Sequence, residues 1–308
     1  MYGISSYVRD LINSSATNRH FFRKFAAAVC EVFFRSCPPS PVRLDSHVVK
    51  RLLLCIVPLL LSALAVRALV VQGYDPAVND RFASGYPDAP VPNTGPSFIG
   101  KGLDWSGVGW WKKDAQYSVT LLSSRNFAYT RHMAPQIGDT ITFLGGDGHL
   151  HDYHVARLQM VELGKQGDQP IDADTAVGTF AETVPLDDHV THYPVVFSQK
   201  GVEPFIGKKI LMYGHMARIG YNEIVEGLMV DGMASEYNFD TDGLTTGMGK
   251  SEVGDSGSPA FMVVGGKLAL VGTHWKIDTD CMVPGLIAGM NAIMAADGAR
   301  LEVVPLDQ

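Results

Sequence analysis

Cysteine is scarce in this chain: 308 residues hold four, Cys30, Cys37, Cys55 and Cys281. Their spacing matches neither a zinc-ligand pattern nor a dithiol motif, and it indicates no disulfide framework. No metal or cofactor is implied, and the folded part must hold together by core packing alone. Concentrated positive charge is missing as well. The formal net charge is −7, from 25 Lys and Arg against 32 Asp and Glu, and the second half has no Lys/Arg cluster. That argues against nucleic acid, whose phosphates demand a basic face, and suits a neutral or peptide-like substrate better. Beyond Gly100 there is neither a sequence repeat nor a low-complexity stretch.

A membrane-length apolar run is also lacking. Leu52–Val66 (LLLCIVPLLLSALAV) is apolar but for Ser62 and falls short of the roughly 20 residues that a spanning helix needs. Lys50 and Arg51 precede it, and Arg67 ends it. A basic pair, a short apolar core and small residues behind it are the parts of a secretory signal peptide. This places a signal at residues 48–68, with candidate cuts after Ala65 or Ala68. Initiation at Val48 or Val49 would give a compact signal and make residues 1–47 translated upstream sequence. The rival reading is a cytoplasmic tail, in which NRHFFRKFAAAVCEVFF forms a basic amphipathic helix, followed by a membrane anchor over residues 52–71. In the first reading the product is secreted, periplasmic or extracellular, and meets the membrane only during export.

What remains is rich in short strands. Residues 69–97 are dense in Pro, Gly, Asp and Asn and read as a linker or irregular N-terminal arm. From Gly102 onward, short apolar or alternating runs recur between turn residues: YSVTLLSS, TITFLGG, YHVARLQMVEL, KKILMYG, PAFMVVGG, KLALVGTHW. Such spacing implies an all-β sandwich or barrel. GLIAGMNAIMAADG departs from it, with apolar residues at helical spacing and Gly298 as a stop. Trp105, Trp110 and Trp111 are expected to pack, and the methionines to fill gaps.

The most specific local pattern is Gly254-Asp255-Ser256-Gly257-Ser258-Pro259, just before a strand. Glycines flanking a serine allow a tight turn that exposes Oγ and aims main-chain N–H groups at one point, as an oxyanion hole requires. The run resembles the nucleophile motif of the trypsin/chymotrypsin-like serine proteases, in a bacterial secreted form. A serine nucleophile needs a histidine base and an orienting carboxylate. His132, in SSRNFAYTRHMAP, resembles the family's histidine strand. Asp174, in DADTAVGTF, resembles its acid strand, with Asp172 as a close rival. The chain order His132, Asp174, Ser256 is that of chymotrypsin. An α/β-hydrolase would carry glycine where Ser258 stands, and an acid and then a histidine after the nucleophile; subtilisin order would need an acid before His132, and nothing around Asp104 resembles that family.

The resemblance spans residues 98–297 and implies two six-stranded antiparallel barrels, residues 98–188 and 189–308, the second including the terminal helix. It implies oxyanion-hole N–H groups from Gly254 and Ser256, and a specificity-pocket floor near Lys250 and Glu252. It further implies that Thr273 steadies Asp174, that His274 and Trp275 line the peptide cleft, and that YGHMARIGYNEI contains a strand and a Gly-Xaa-Asn turn. No Ile-Val-Gly-Gly segment precedes the first barrel, so an ion pair between a freshly cut N-terminus and Asp255 does not follow. The expected activity is that of a serine endopeptidase; an esterase on the same fold and a noncatalytic binding module are the alternatives. A histidine base titrating near pH ~6.5 predicts activity that falls below neutral pH. His149, His151 and His154 are read as a polar hairpin and not as a metal site, since His154 breaks the strand period.

N-terminal sequencing of unprocessed precursor is expected to begin at residue 48 or 49. Recovery of any peptide from residues 1–47 would overturn that start.

Overall fold

The computed structural model describes residues 69–166, 169–230 and 233–306. The signal or anchor segment, the preceding tail, and Cys30, Cys37 and Cys55 lie outside the described residues. Among the described residues no helix is long and apolar enough to cross a membrane.

Twelve strands form two closed barrels. The first comprises β1 (Val108–Trp111), β2 (Asp114–Leu121), β3 (Asn126–Thr130), β4 (Thr140–Leu144), β5 (Leu150–Gln166) and β6 (Gln169–Phe180). They pair antiparallel around the ring β1-β2-β3-β6-β5-β4, closed by β1 against β4. The second comprises β7 (Lys209–Gly214), β8 (Arg218–Val230), β9 (Met233–Phe239), β10 (Pro259–Val264), β11 (Lys267–His274) and β12 (Thr279–Met282). Its ring runs β7-β8-β9-β12-β11-β10, closed by β10 against β7. Both rings follow one cyclic order, first-second-third-sixth-fifth-fourth. The chain therefore repeats in topology where it shows no repeat in sequence, an architecture consistent with the chymotrypsin-like fold. Val195–Phe197 and then Val303–Pro305 extend the second sheet from β11 by parallel pairing.

Strand alternation explains the near-continuous apolar runs. Successive side chains of a strand point to opposite faces, so a strand buried on both faces reads as unbroken hydrophobic sequence. In β7, Ile210 and Met212 enter the second barrel's core, while Leu211 and Tyr213 join a separate apolar layer with Trp105, Val108 and Trp110. In β11, Ala269 and Val271 face the barrel core, and Leu268 and Leu270 face that layer. The first barrel fills with aromatics, where Phe127 stacks on Phe180 at 4.5 Å between centroids. Trp105 and Trp110 are thus core residues, as expected.

The N-terminal arm is fastened to the barrels. Leu69 and Val71 are buried in the second core, Val70 pairs with Lys250, and the buried Arg81 guanidinium donates to the Val108 carbonyl at 2.8 Å. The resemblance-based turn at Gly220-Tyr221-Asn222 is corrected: these residues lie within β8, paired with Met212, Leu211 and Ile210. The chain reverses earlier, at His215–Ala217, where Met216 and Ala217 adopt positive φ. Asn222 instead uses its amide to tie the Asp240 and Gly249 carbonyls, both under 3 Å away.

The expected terminal helix is α1 (Ile287–Met294), continued by a 3-10 turn to Asp297 and stopped by Gly298 in the left-handed conformation. Met290 and Met294 are fully buried in the apolar layer, which Val161 of β5 also enters. Asp297 then clamps three strands of the first barrel. One of its oxygens accepts from Asn126 Nδ2 at 2.8 Å, Arg157 Nη2 at 2.6 Å and Thr179 Oγ1 at 3.1 Å. Partial burial would raise its pKa, but these donors and the nearby guanidinium charges outweigh it and hold the carboxyl below its ordinary value.

A lowered carboxyl pKa contributes stability that is complete above the unfolded-state pKa and is lost as pH falls through the folded value. Asp297→Asn is therefore expected to cost about 1–3 kcal/mol at pH 7. In thermal melts this difference from the parent chain is expected to close as pH falls below the ordinary carboxylate range; a gap that persists there would refute the ionic clamp.

Candidate active site

His132 stands on a 3-10 turn, Arg131–Met133, directly after β3. The β3–β6 ladder pairs Thr130 with Thr175, which brings the residue before Thr175 beside that turn. Asp174 is 8% exposed. Its Oδ2 accepts from Thr130 Oγ1 at 3.0 Å and lies 2.8 Å from His132 Nδ1. The carboxylate thus holds the proton on Nδ1 and leaves Nε2 as an acceptor. Nε2 lies 2.8 Å from Ser256 Oγ. Asp172, two residues away on the same strand, instead faces Arg131 Nη1 at 3.7 Å. Of the two acids considered from sequence, Asp174 is the one on the histidine.

Ser256 sits on a loop from the second barrel, so the three side chains converge from both barrels. The loop is fixed by its neighbour. The Asp255 carboxylate is fully buried and accepts three backbone N–H groups: Leu69 at 3.1 Å, His215 at 2.6 Å and Glu252 at 2.7 Å. Burial pushes its pKa above the ordinary carboxylate value, opposed in part by His274 and by these donors. The loop is also laced to β11, with Gly257 N–H on the His274 carbonyl and His274 N–H on the Ser258 carbonyl, each at 2.9 Å. Gly254 has φ of +111° and Gly257 of +83°, values that glycine tolerates and side chains resist. The N–H groups of Gly254 and Ser256 take no hydrogen-bond partner among the described residues, which leaves two donors beside the serine oxygen.

A pocket of about 190 Å³ opens next to Ser256 and His132, with Ser251, Glu252, Val253 and His274 through Ile277 in its walls. Glu252, His274 and Trp275, named from the resemblance, are thus brought together beside Ser256. Lys250 is not in that wall: it is held in a two-residue strand against Val70, and its ammonium lies 3.9 Å from Glu252. Thr273 also departs from expectation. It is fully buried and bonds Thr175 Oγ1 at 2.5 Å, so it ties β11 to β6, and the hydroxyl on Asp174 belongs to Thr130. A β-bulge sets which way the side chains here face. Phe261 pairs with Leu270 but Ala260 pairs with Gly272, so Val271 is an extra residue. An extra residue reverses which face the following side chains occupy. Gly272 accordingly lies against Tyr237 and His274 turns into the second barrel, while Thr273 turns toward the first.

Sequence reasoning missed Asp280, whose Oδ1 lies 2.6 Å from His274 Nδ1. The two are directly paired across the β11–β12 hairpin, and the turn residues between two apolar runs were the signal for that pairing. Two of the three histidines set aside as metal ligands have carboxylate partners: His154 with Glu182 at 2.7 Å, and His151 with Asp147 and Asp188 at 3.2 Å. No protein-family model matches the chain, and no curated protein is significantly similar to it.

The two acids are separable by the rate at which a fluorophosphonate labels Ser256. Asp174→Asn, which leaves the histidine in the wrong tautomer, is expected to slow labelling by ~10³-fold or more. Asp172→Asn is expected to leave it essentially unchanged, and the reverse order would move the role to Asp172.

Proposed function

We propose that this chain is a secreted serine endopeptidase that cleaves peptide bonds through an acyl-enzyme intermediate. The observation that carries the reading is the continuous relay from buried Asp174 through His132 to Ser256, with both contacts at 2.8 Å.

In this reading Ser256 Oγ adds to the scissile carbonyl carbon as its proton passes to His132 Nε2. The carbonyl π electrons move onto oxygen, and the resulting oxyanion is received by the N–H groups of Gly254 and Ser256. Asp174 supports the imidazolium and keeps the ring oriented. His132 then gives the proton to the amine nitrogen as the C–N bond breaks, leaving an ester on Ser256. Water, deprotonated by His132, adds to that ester; the second tetrahedral intermediate collapses, and Ser256 leaves with its proton restored. Besides the peptide, one water molecule balances the two halves. The exposure of the His132 side chain, at 40%, also fits a base that must meet substrate and water. Export by residues 48–68 belongs to the same proposal and places the activity outside the cytoplasm.

Fluorophosphonate labelling and peptide cleavage by the mature protein are expected together, and Ser256→Ala is expected to lower cleavage by roughly 10⁶-fold. Labelling with ester but no peptide turnover would make it an esterase, and no labelling a binding module.

A further inference from the structure

The pocket beside Ser256 contains a polar group that the relay does not use. His274 is 1% exposed, yet it forms part of the pocket wall. Its Nδ1 lies 2.6 Å from Asp280 Oδ1, and Asp280 Oδ2 accepts from Tyr237 O–H at 2.7 Å. That chain holds a proton on Nδ1 and fixes the ring plane. The opposite nitrogen, Nε2, is buried and makes no well-formed hydrogen bond among the described residues, with the Tyr213 main chain close beside the ring. Buried polar atoms are rarely left so, because the lost hydration is not repaid unless a ligand supplies the missing contact.

We propose that His274 Nε2 reads the side chain of the residue that contributes the scissile carbonyl, and selects one ending in a carboxylate or carboxamide, glutamate or glutamine. The inference rests on Ser256 as nucleophile and adds the substrate class. Size agrees: about 190 Å³ is below the roughly 300–1,000 Å³ of pockets for whole small molecules, and suits a single side chain. Val253, Trp275 and Ile277 line the way in and suit the methylenes. Charge agrees as well. Burial by itself would lower the His274 pKa, but contact with Asp280 and the nearby Asp255 carboxylate hold it above the ordinary imidazole value. A charged ring presents an N–H donor at Nε2. Lys276 also lies in the wall, 3.6 Å from the Trp275 ring centre and 3.7 Å from the Glu236 carboxylate, and Glu252 is paired with Lys250, so these two charges are balanced and the imidazole sets the preference. Lys250, read from sequence as the pocket's charge, gives way to His274 in this role.

The test uses the mature chain and matched peptides with Glu, Gln, Asp, Leu, Phe or Lys before the cleaved bond, with fluorophosphonate labelling run in parallel. A site that must satisfy a buried hydrogen-bonding group rejects side chains that cannot bond to it. The kcat/KM for Glu or Gln is therefore expected to exceed that for Leu, Phe or Lys by at least ~100-fold. Glu ahead of Gln marks a charged imidazole that donates to a side-chain oxygen, and Gln level or ahead marks a neutral one whose Nε2 accepts from the carboxamide N–H; both support the assignment. In His274→Leu the ratio of Glu to Leu cleavage is expected to collapse, and using a ratio removes any general loss of activity. Should that variant fail to fold, Tyr237→Phe, which frees Asp280, is expected to narrow the same ratio. A parent protein that labels with fluorophosphonate but prefers Leu, Phe or Lys would overturn the inference and leave the nucleophile standing. A parent that does not label would remove the nucleophile, and this inference with it.

Discussion

The apolar layer between the two barrels is the constraint on which the rest of the molecule depends. His132 and Asp174 belong to the first barrel and Ser256 to the second, so a 2.8 Å contact between histidine and serine holds only while the barrels keep their relative position. Strands that are apolar on both faces provide this. Leu211, Tyr213 and Phe261 from the second barrel pack with Trp105, Trp110 and Val177 from the first, and the terminal helix adds Met290 and Met294. Close-packed interiors have few voids into which such a layer could relax, so displacement of one barrel against the other is resisted by many small contacts at once. Polar links sit at its edges: Thr175 to Thr273 beside the relay, and Asp297 on the first barrel's strands.

Much of this was legible because local patterns carry it. Strand-length apolar runs separated by turn residues marked a β protein, the helical spacing of GLIAGMNAIMAADG marked α1, and the glycines around Ser256 marked an exposed serine. What was not legible depends on register and on distant partners. The bulge at Val271 exchanges the faces of Thr273 and His274, and nothing in KLALVGTHW announces an extra residue. The choice of Asp174 over Asp172 follows from which of two same-face carboxylates lies beside the His132 turn, a matter of pairing with β3. The arm at residues 69–97, rich in turn residues, gave no periodicity from which to see that Leu69 and Val71 enter a core. The repeated strand order of the two barrels is invisible in the letters, since topology constrains burial pattern and leaves residue identity free.

Two histidines lie on one pocket in opposite environments. His132 is partly exposed, and its second nitrogen meets a hydroxyl. His274 is almost wholly buried, and its second nitrogen makes no well-formed hydrogen bond among the described residues. Each is oriented at Nδ1 by a buried aspartate that a neighbouring hydroxyl also serves, Thr130 for Asp174 and Tyr237 for Asp280. The same side-chain arrangement thus occurs once with access to solvent and once without. Burial, more than the identity of the partners, separates a ring placed to exchange protons from one placed to hold a contact.

The Asp255 carboxylate gathers its donors from far along the chain. Leu69 lies 186 residues before it, and His215 lies 40 before. Contacts between remote segments form late, because loop closure must precede any gain from them. The serine loop cannot take its final shape until the segments that carry Leu69 and His215 have come to it. It is completed only when the start of the arm returns to the second barrel. A partly folded chain therefore carries the serine without its geometry, and under the proposed function any capacity to cut waits until folding is finished.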